Sequence, residues 1–223
     1  MSPQVGFQFP SPLYPIADYD AAPDRDVVRL ARAIVAAGAP LLQLRVKSLD
    51  TQSFVAVARE VAHICASAGT KLVINDRADI ALLVGALGVH LGQEDLSPTE
   101  VRPWFGRPRV LGWSTHNLQQ ALKAERSGHV DYIGVGPIFP TRSKANPDPV
   151  LGLDGLRAVR AAVRLPIVAI GGVTESNAEE VLKAGADAVA MISSIATAND
   201  PQEFIRRLQL RLATRGDQQG RSA

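Results

Sequence analysis

The sequence predicts an α/β fold, a single (β/α)8 barrel, and three observations carry that expectation. Eight short β-forming runs alternate with eight segments of helical apolar spacing. Glycine signals recur just before strands, where a helix-to-strand loop needs a residue with positive φ. The 223 residues suit the compact end of the barrel family. An open doubly wound sheet stays as the alternative, because sequence period alone does not show closure; against it, no G-x-G-x-x-G follows the first strand.

The elements justify themselves in order. "LYPIAD" reads as the first strand, followed by a helix near 26–37 that ends in "AAGA". "LLQLRVK" is the second strand, and its helix near 51–68 stops at "SAGT". "LVINDR" and a helix near 77–84 make the third unit; "GVHLG" and a helix near 98–105 make the fourth. "VLGWS" leads to a helix near 117–127 closed by "RSGH", and "DYIGVG" to a helix near 153–162. "PIVAIGG" precedes a helix near 176–184 ending in "KAGAD", and "AVAMIS" precedes the last, near 201–213. The barrel is thus expected over 13–213. Residues 1–12 and 214–223, rich in Pro, Gly and polar side chains, are expected to be loose.

Composition narrows the function classes. With 46% apolar residues the chain can bury a substantial core. Its 24 basic and 22 acidic residues nearly cancel to +2, so no general field draws it to nucleic acid or a membrane surface. No apolar run approaches the roughly 20 residues that cross a bilayer, so a cytoplasmic protein is the expectation, with self-association left open. The lone Cys65 reads as a small buried hydrophobe.

In either α/β fold the chemistry gathers at the C-terminal ends of the strands. Gln43, Arg45 and Lys47 alternate along the second strand and share one side, Leu44 and Val46 the other. Three polar side chains facing a barrel axis need either a ligand or a buried salt-bridge network. Asp76 and Asp95 close neighbouring strands beside Asn75, His90 and Gln93, so both carboxylates can reach one divalent ion; Mg2+ accepts such hard oxygens. The competing reading makes Asp95 a helix N-cap and Asp76 a partner of Arg77. "GPIFPTRSK" offers Thr141, Ser143 and Lys144 to an anion, "AIGGV" bares the backbone of Gly171 and Gly172, and "MISSI" adds Ile192 and Ser193. His90 and His116 are candidate acid–base groups, equally readable as hydrogen-bonded structural residues; no nucleophile stands beside a base.

Taken together, "QLRVK", "NDRADIAL", "GVHLGQEDL", "GWSTHN", "DYIGVGPIFPTRSK" and "AIGGV" resemble the thiamine-phosphate synthase family, in order and over nearly the whole chain. The resemblance implies a barrel enzyme with two phosphorylated small-molecule substrates, a pyrimidine diphosphate and a thiazole phosphate. It implies that Gln43, Arg45, Lys47, Asn75, Ser114 and Lys144 contact the pyrimidine diphosphate, with Arg45, Lys47, Ser114 and Lys144 catalytic. Asp76 and Asp95 would hold Mg2+. Thr141, Arg142, Ser143, Gly172, Ile192 and Ser193 would bind the thiazole phosphate. Two residues depart from the family pattern: Val46 stands where Glu is common, and Ser143 where Thr is common. The rival readings are a tautomerase-like isomerase on the same barrel and a non-catalytic barrel that binds phosphorylated metabolites.

Overall fold

Side chains alternate across a strand, so one parity of each strand faces the barrel axis and the other faces the helices. The computed structural model describes residues 6–141 and 148–219, the last six of these by backbone alone. In it the parallel strands pair in chain order and close β8 onto β1. They are β1 (Leu13–Asp18), β2 (Leu41–Arg45), β3 (Lys71–Asn75), β4 (Gly88–Leu91), β5 (Val110–Thr115), β6 (Tyr132–Val135), β7 (Ile167–Ala169) and β8 (Ala188–Met191). Closure excludes the open sheet. The outer layer holds α1 (Val27–Ala36), α2 (Thr51–Ala68), α3 (Ala78–Leu83), α4 (Pro98–Phe105), α5 (Leu118–Ser127), α6 (Gly152–Ala162), α7 (Ala178–Lys183), α8 (Ser193–Ala196) and α9 (Pro201–Gln219). Among the described residues no helix is long and apolar enough to cross a membrane.

The alternation sorts the core into two clusters. Leu42, Leu44, Ile74, Val89, Leu111, Ile133 and Val189 face the helices, with Val46 buried among them. Tyr14, Ile16, Leu41, Val73, Val110, Tyr132 and Val168 fill the axis. Glycines make room for the large rings inside: a Cβ on Gly112 would lie 2.1 Å from the Tyr132 ring and 2.6 Å from His90 Nδ1. The expected glycine stops are real. Gly69 and Gly128 adopt the left-handed conformation behind α2 and α5, at φ 73° and 66°.

Several boundaries differ from expectation. β2 ends at Arg45, so Lys47 leaves the ladder for the loop. β3 stops at Asn75 because Asp76 turns to φ 65°, and the glycines after β7 take φ 92° and 65°. The short α8 replaces the last predicted strand residue, Ser193, and α9 continues to Gln219, past position 213. Residues 6–12 are anchored: Phe9 lies 5.1 Å and Phe7 5.4 Å from the Tyr132 ring, and both pack on the axial cluster. Two aromatic side chains supply the apolar surface that the Pro-rich composition hides.

Cys65 is 1% exposed on the core face of α2, and burial pushes its thiol up to about 11. Cys65→Ser is therefore expected to lower stability by about 1–3 kcal/mol, the cost of burying a hydroxyl. Thermal melting would check this. The substitution should leave the barrel mouth intact, and full loss of activity in a folded variant would refute a purely structural thiol.

Candidate active site

Short strands feed the C-terminal mouth of the barrel with inward side chains, and these line a cavity of about 260 Å3. Gln43 and Arg45 of β2, Asn75 of β3, His90 of β4 and Ser114 of β5 form one wall. Thr141, Gly172, Ile192 and Ser193, from the loops after β6, β7 and β8, form the other. Lys47, Asp76 and Asp95 sit outside this lining, at the rim. Arg142, Ser143 and Lys144 lie outside the described residues.

Gln43, Arg45 and Lys47 take part in ion pairs or hydrogen bonds, and the first two also line the cavity. Arg45 pairs with Asp18, a 2% exposed carboxylate that also accepts N–H bonds from Asp20 and Ala21, yet Arg45 still lines the cavity. Gln43 Nε2 donates to the Tyr14 hydroxyl at 3.1 Å. Lys47 reaches Asp76 at 2.5 Å with half its side chain in solvent.

The alternative roles for the two carboxylates fall away. The N-cap of α4 is Ser97, in a capping box with Glu100, and Asp95 instead takes the Gly92 N–H at 2.6 Å. Arg77 pairs with Asp79 at 2.6 Å, leaving Asp76 to Lys47. Asp76 is pushed up to about 6, first by burial and then by the facing Asp95 carboxylate, with Lys47 opposing. Asp76 and Asp95 are thus brought within hydrogen-bonding reach of each other, with Asp76 disfavoured as an anion. No group of three or more His, Cys, Asp or Glu suited to a metal occurs among the described residues.

The two histidines are built in. His90 spans from Tyr132 Oη, 3.0 Å from Nδ1, to Ser114 Oγ, 2.9 Å from Nε2. His116 Nδ1 donates to the Gly136 carbonyl at 2.7 Å, and Nε2 lies 3.3 Å from Asp148. Gln93 does not enter the cavity lining; its amide donates to the Ser114 carbonyl at 2.5 Å. Sequence reasoning missed Tyr14, Asp18, Tyr132 and Asp148. For Tyr14 and Asp18 a signal existed, since they share the inward parity of "LYPIAD"; for Asp148 there was none, because it lies outside any strand and meets His116 only in the folded chain.

Residues 13–195 match the family described as Thiamine monophosphate synthase. The chain is 42% identical to "Thiamine-phosphate synthase" of Chloroflexus aurantiacus over 88% of its length and 90% of that relative's. To the protein of the same name from Shouchella clausii it is also 42% identical, covering 86% and 91%. Its fold is similar to the solved thiamine phosphate pyrophosphorylase from Pyrococcus furiosus, with TM-score 0.80, 34% identity, and 91% and 95% of the two chains covered.

Proposed function

The chain belongs to the thiamine monophosphate synthase family and is a transferase, and from that premise we propose how it performs the reaction. It joins 4-amino-2-methyl-5-hydroxymethylpyrimidine diphosphate to 4-methyl-5-(2-phosphooxyethyl)thiazole, giving thiamine phosphate and diphosphate. The observation that carries this reading is the Asp76–Asp95 pair beside Lys47, at the rim of a cavity whose polar wall holds Arg45. A tautomerase has no leaving diphosphate and no use for that cluster.

The bond from the pyrimidine methylene to the diphosphate oxygen breaks, and the electron pair leaves with diphosphate. The thiazole nitrogen then donates its lone pair to the methylene cation. No protein nucleophile is needed, which accounts for its absence from the site. Arg45, Lys47 and Lys144 stabilise charge on the departing diphosphate, the largest contribution such a site can make. Gln43, Asn75 and Ser114 hold the pyrimidine ring; Thr141, Arg142, Ser143, Gly172, Ile192 and Ser193 hold the thiazole phosphate so that its nitrogen meets the cation in line. Asp76 and Asp95 would hold Mg2+, whose chemistry there is neutralisation of diphosphate charge. Lys47 would then exchange Asp76 for the diphosphate.

Incubation with both substrates and Mg2+, followed by detection of thiamine phosphate and diphosphate, tests the reading; binding of both substrates without turnover would overturn it. Lys144→Ala is expected to lower kcat, on the order of 10²-fold, more than it raises KM for the thiazole phosphate. Steady-state kinetics with each substrate varied in turn would check this. An unchanged kcat with a raised thiazole-phosphate KM would move Lys144 to the other subsite.

A further inference from the structure

A continuous hydrogen-bond chain runs up the barrel axis: Gln43 Nε2 to Tyr14 Oη at 3.1 Å, Tyr14 Oη to Tyr132 Oη at 3.2 Å, Tyr132 Oη to His90 Nδ1 at 3.0 Å, and His90 Nε2 to Ser114 Oγ at 2.9 Å. We infer that this chain has one donor sense, which fixes His90 as its neutral Nε2–H tautomer and leaves the Ser114 hydroxyl proton free to donate into the cavity. Tyr14 and Tyr132 are then positioning residues that act through His90, and Ser114 addresses an acceptor atom of its substrate.

The direction follows from counting protons. The structure turns the Gln43 amide nitrogen, which can only donate, toward Tyr14, so Tyr14 Oη accepts there and spends its own proton on Tyr132. Tyr132 in turn spends its proton on His90 Nδ1. An imidazole that accepts at Nδ1 donates at Nε2, so Ser114 Oγ accepts from the ring and its own proton is left for the cavity. The reverse sense requires the Gln43 amide turned over, with Oε1 toward Tyr14; with Nε2 there, it leaves Tyr14 accepting from both neighbours. Its proton would then have no partner, in a side chain only 1% exposed. Burial raises the Tyr14 hydroxyl to about 12 and lifts that of Tyr132 as well, so both keep their protons at any working pH.

The packing is shaped around the chain. The His90 and Tyr132 rings stack at 5.4 Å and 28°, in space left by two glycines. A Cβ on Gly112 would come within 2.5 Å of Tyr132 Oη, and one on Gly134 within 3.0 Å of the His90 ring. Phe7 and Phe9 cover the lower end, shielding the two tyrosines from water at the barrel floor.

The assignment of Ser114 to the pyrimidine substrate rests on the function proposed above; the tautomer does not. Long-range 1H–15N NMR of the histidine-labelled wild-type protein should show His90 protonated at Nε2 and bare at Nδ1. An Nδ1–H tautomer or an imidazolium at neutral pH would overturn the inference, whatever the variants do. Tyr132→Phe keeps the ring and breaks the chain. It should mix the His90 tautomers and lower kcat/KM for the pyrimidine diphosphate about tenfold, the effect of one ordinary hydrogen bond. In a Ser114→Ala background the same substitution should cost no more than about twofold, because its route to the substrate is already gone. Effects that multiply instead would show Tyr132 acting without Ser114 and would overturn the positioning role. If Ser114→Ala leaves both kcat and KM for the pyrimidine diphosphate unchanged, the substrate assignment falls while the NMR result stands by itself.

Discussion

Asp76→Ala and Asp95→Ala are each expected to lose about 10²–10³ of turnover, with the protein still folded. The two carboxylates come from consecutive β/α units and meet only because β3 and β4 are paired, with Asn75 beside His90 in the register. In the proposed Mg2+ role, removing either leaves one carboxylate in place of two to hold the hydrated cation, which weakens its binding. Raised Mg2+ should rescue one variant in part, and full activity of either at limiting Mg2+ would remove the pair from the site. The pH dependence has a definite sign. Asp76 titrates near 6 in the fold, above its ordinary value of 3.8, so the ion-free fold binds the extra proton in that window. Its contribution to stability is greatest below about pH 4 and is lost as pH rises through 6. If the pair holds Mg2+ as proposed, the cation competes with that proton, and the thermal midpoint should rise with Mg2+ at pH 7.5 and hardly at pH 5. Equal shifts at both pH values would contradict the assignment.

Arg45→Ala is expected to damage both catalysis and the fold. Losing a preorganised cation at the leaving group costs on the order of 10²–10³ in kcat. It also leaves Asp18, 2% exposed, as a buried carboxylate without its cation, which costs about 3–5 kcal/mol. The two effects can be separated. Arg45→Ala combined with Asp18→Asn should recover most of the melting temperature and none of the activity. Asp18→Asn alone should leave Arg45 charged but free to swing, raising KM for the pyrimidine diphosphate more than it lowers kcat. Recovery of turnover in the double variant would show that Arg45 serves the fold alone.

The barrel was legible because its evidence is periodic. Alternation along "LLQLRVK" put Gln43 and Arg45 inside and Val46 among the helices, and each is found there. Asp76 and Asp95 were legible as strand-exit carboxylates, though Asp95 sits beyond the end of β4 and is folded back by its bond from Gly92. The axial chain was not legible. Tyr14, Gln43, His90, Ser114 and Tyr132 come from five different strands, and no local pattern links them.

By itself the sequence determined what depends on neighbours along the chain: strand and helix alternation, glycine stops at positive φ, the parity of each inward side chain and the motifs of the family. These are local because backbone sterics and side-chain periodicity act over a few residues. Only the tertiary structure decided which inward residues meet. Parallel pairing of neighbouring strands brings Lys47 to Asp76 and Arg45 to Asp18, and the fold brings Asp148, beyond β6, to His116, contacts 27 to 32 residues apart. Burial then acts on those pairs in low dielectric, raising Asp76 and holding the tyrosine hydroxyls protonated, and a carboxylate's surroundings in the fold cannot be read from its place in the chain.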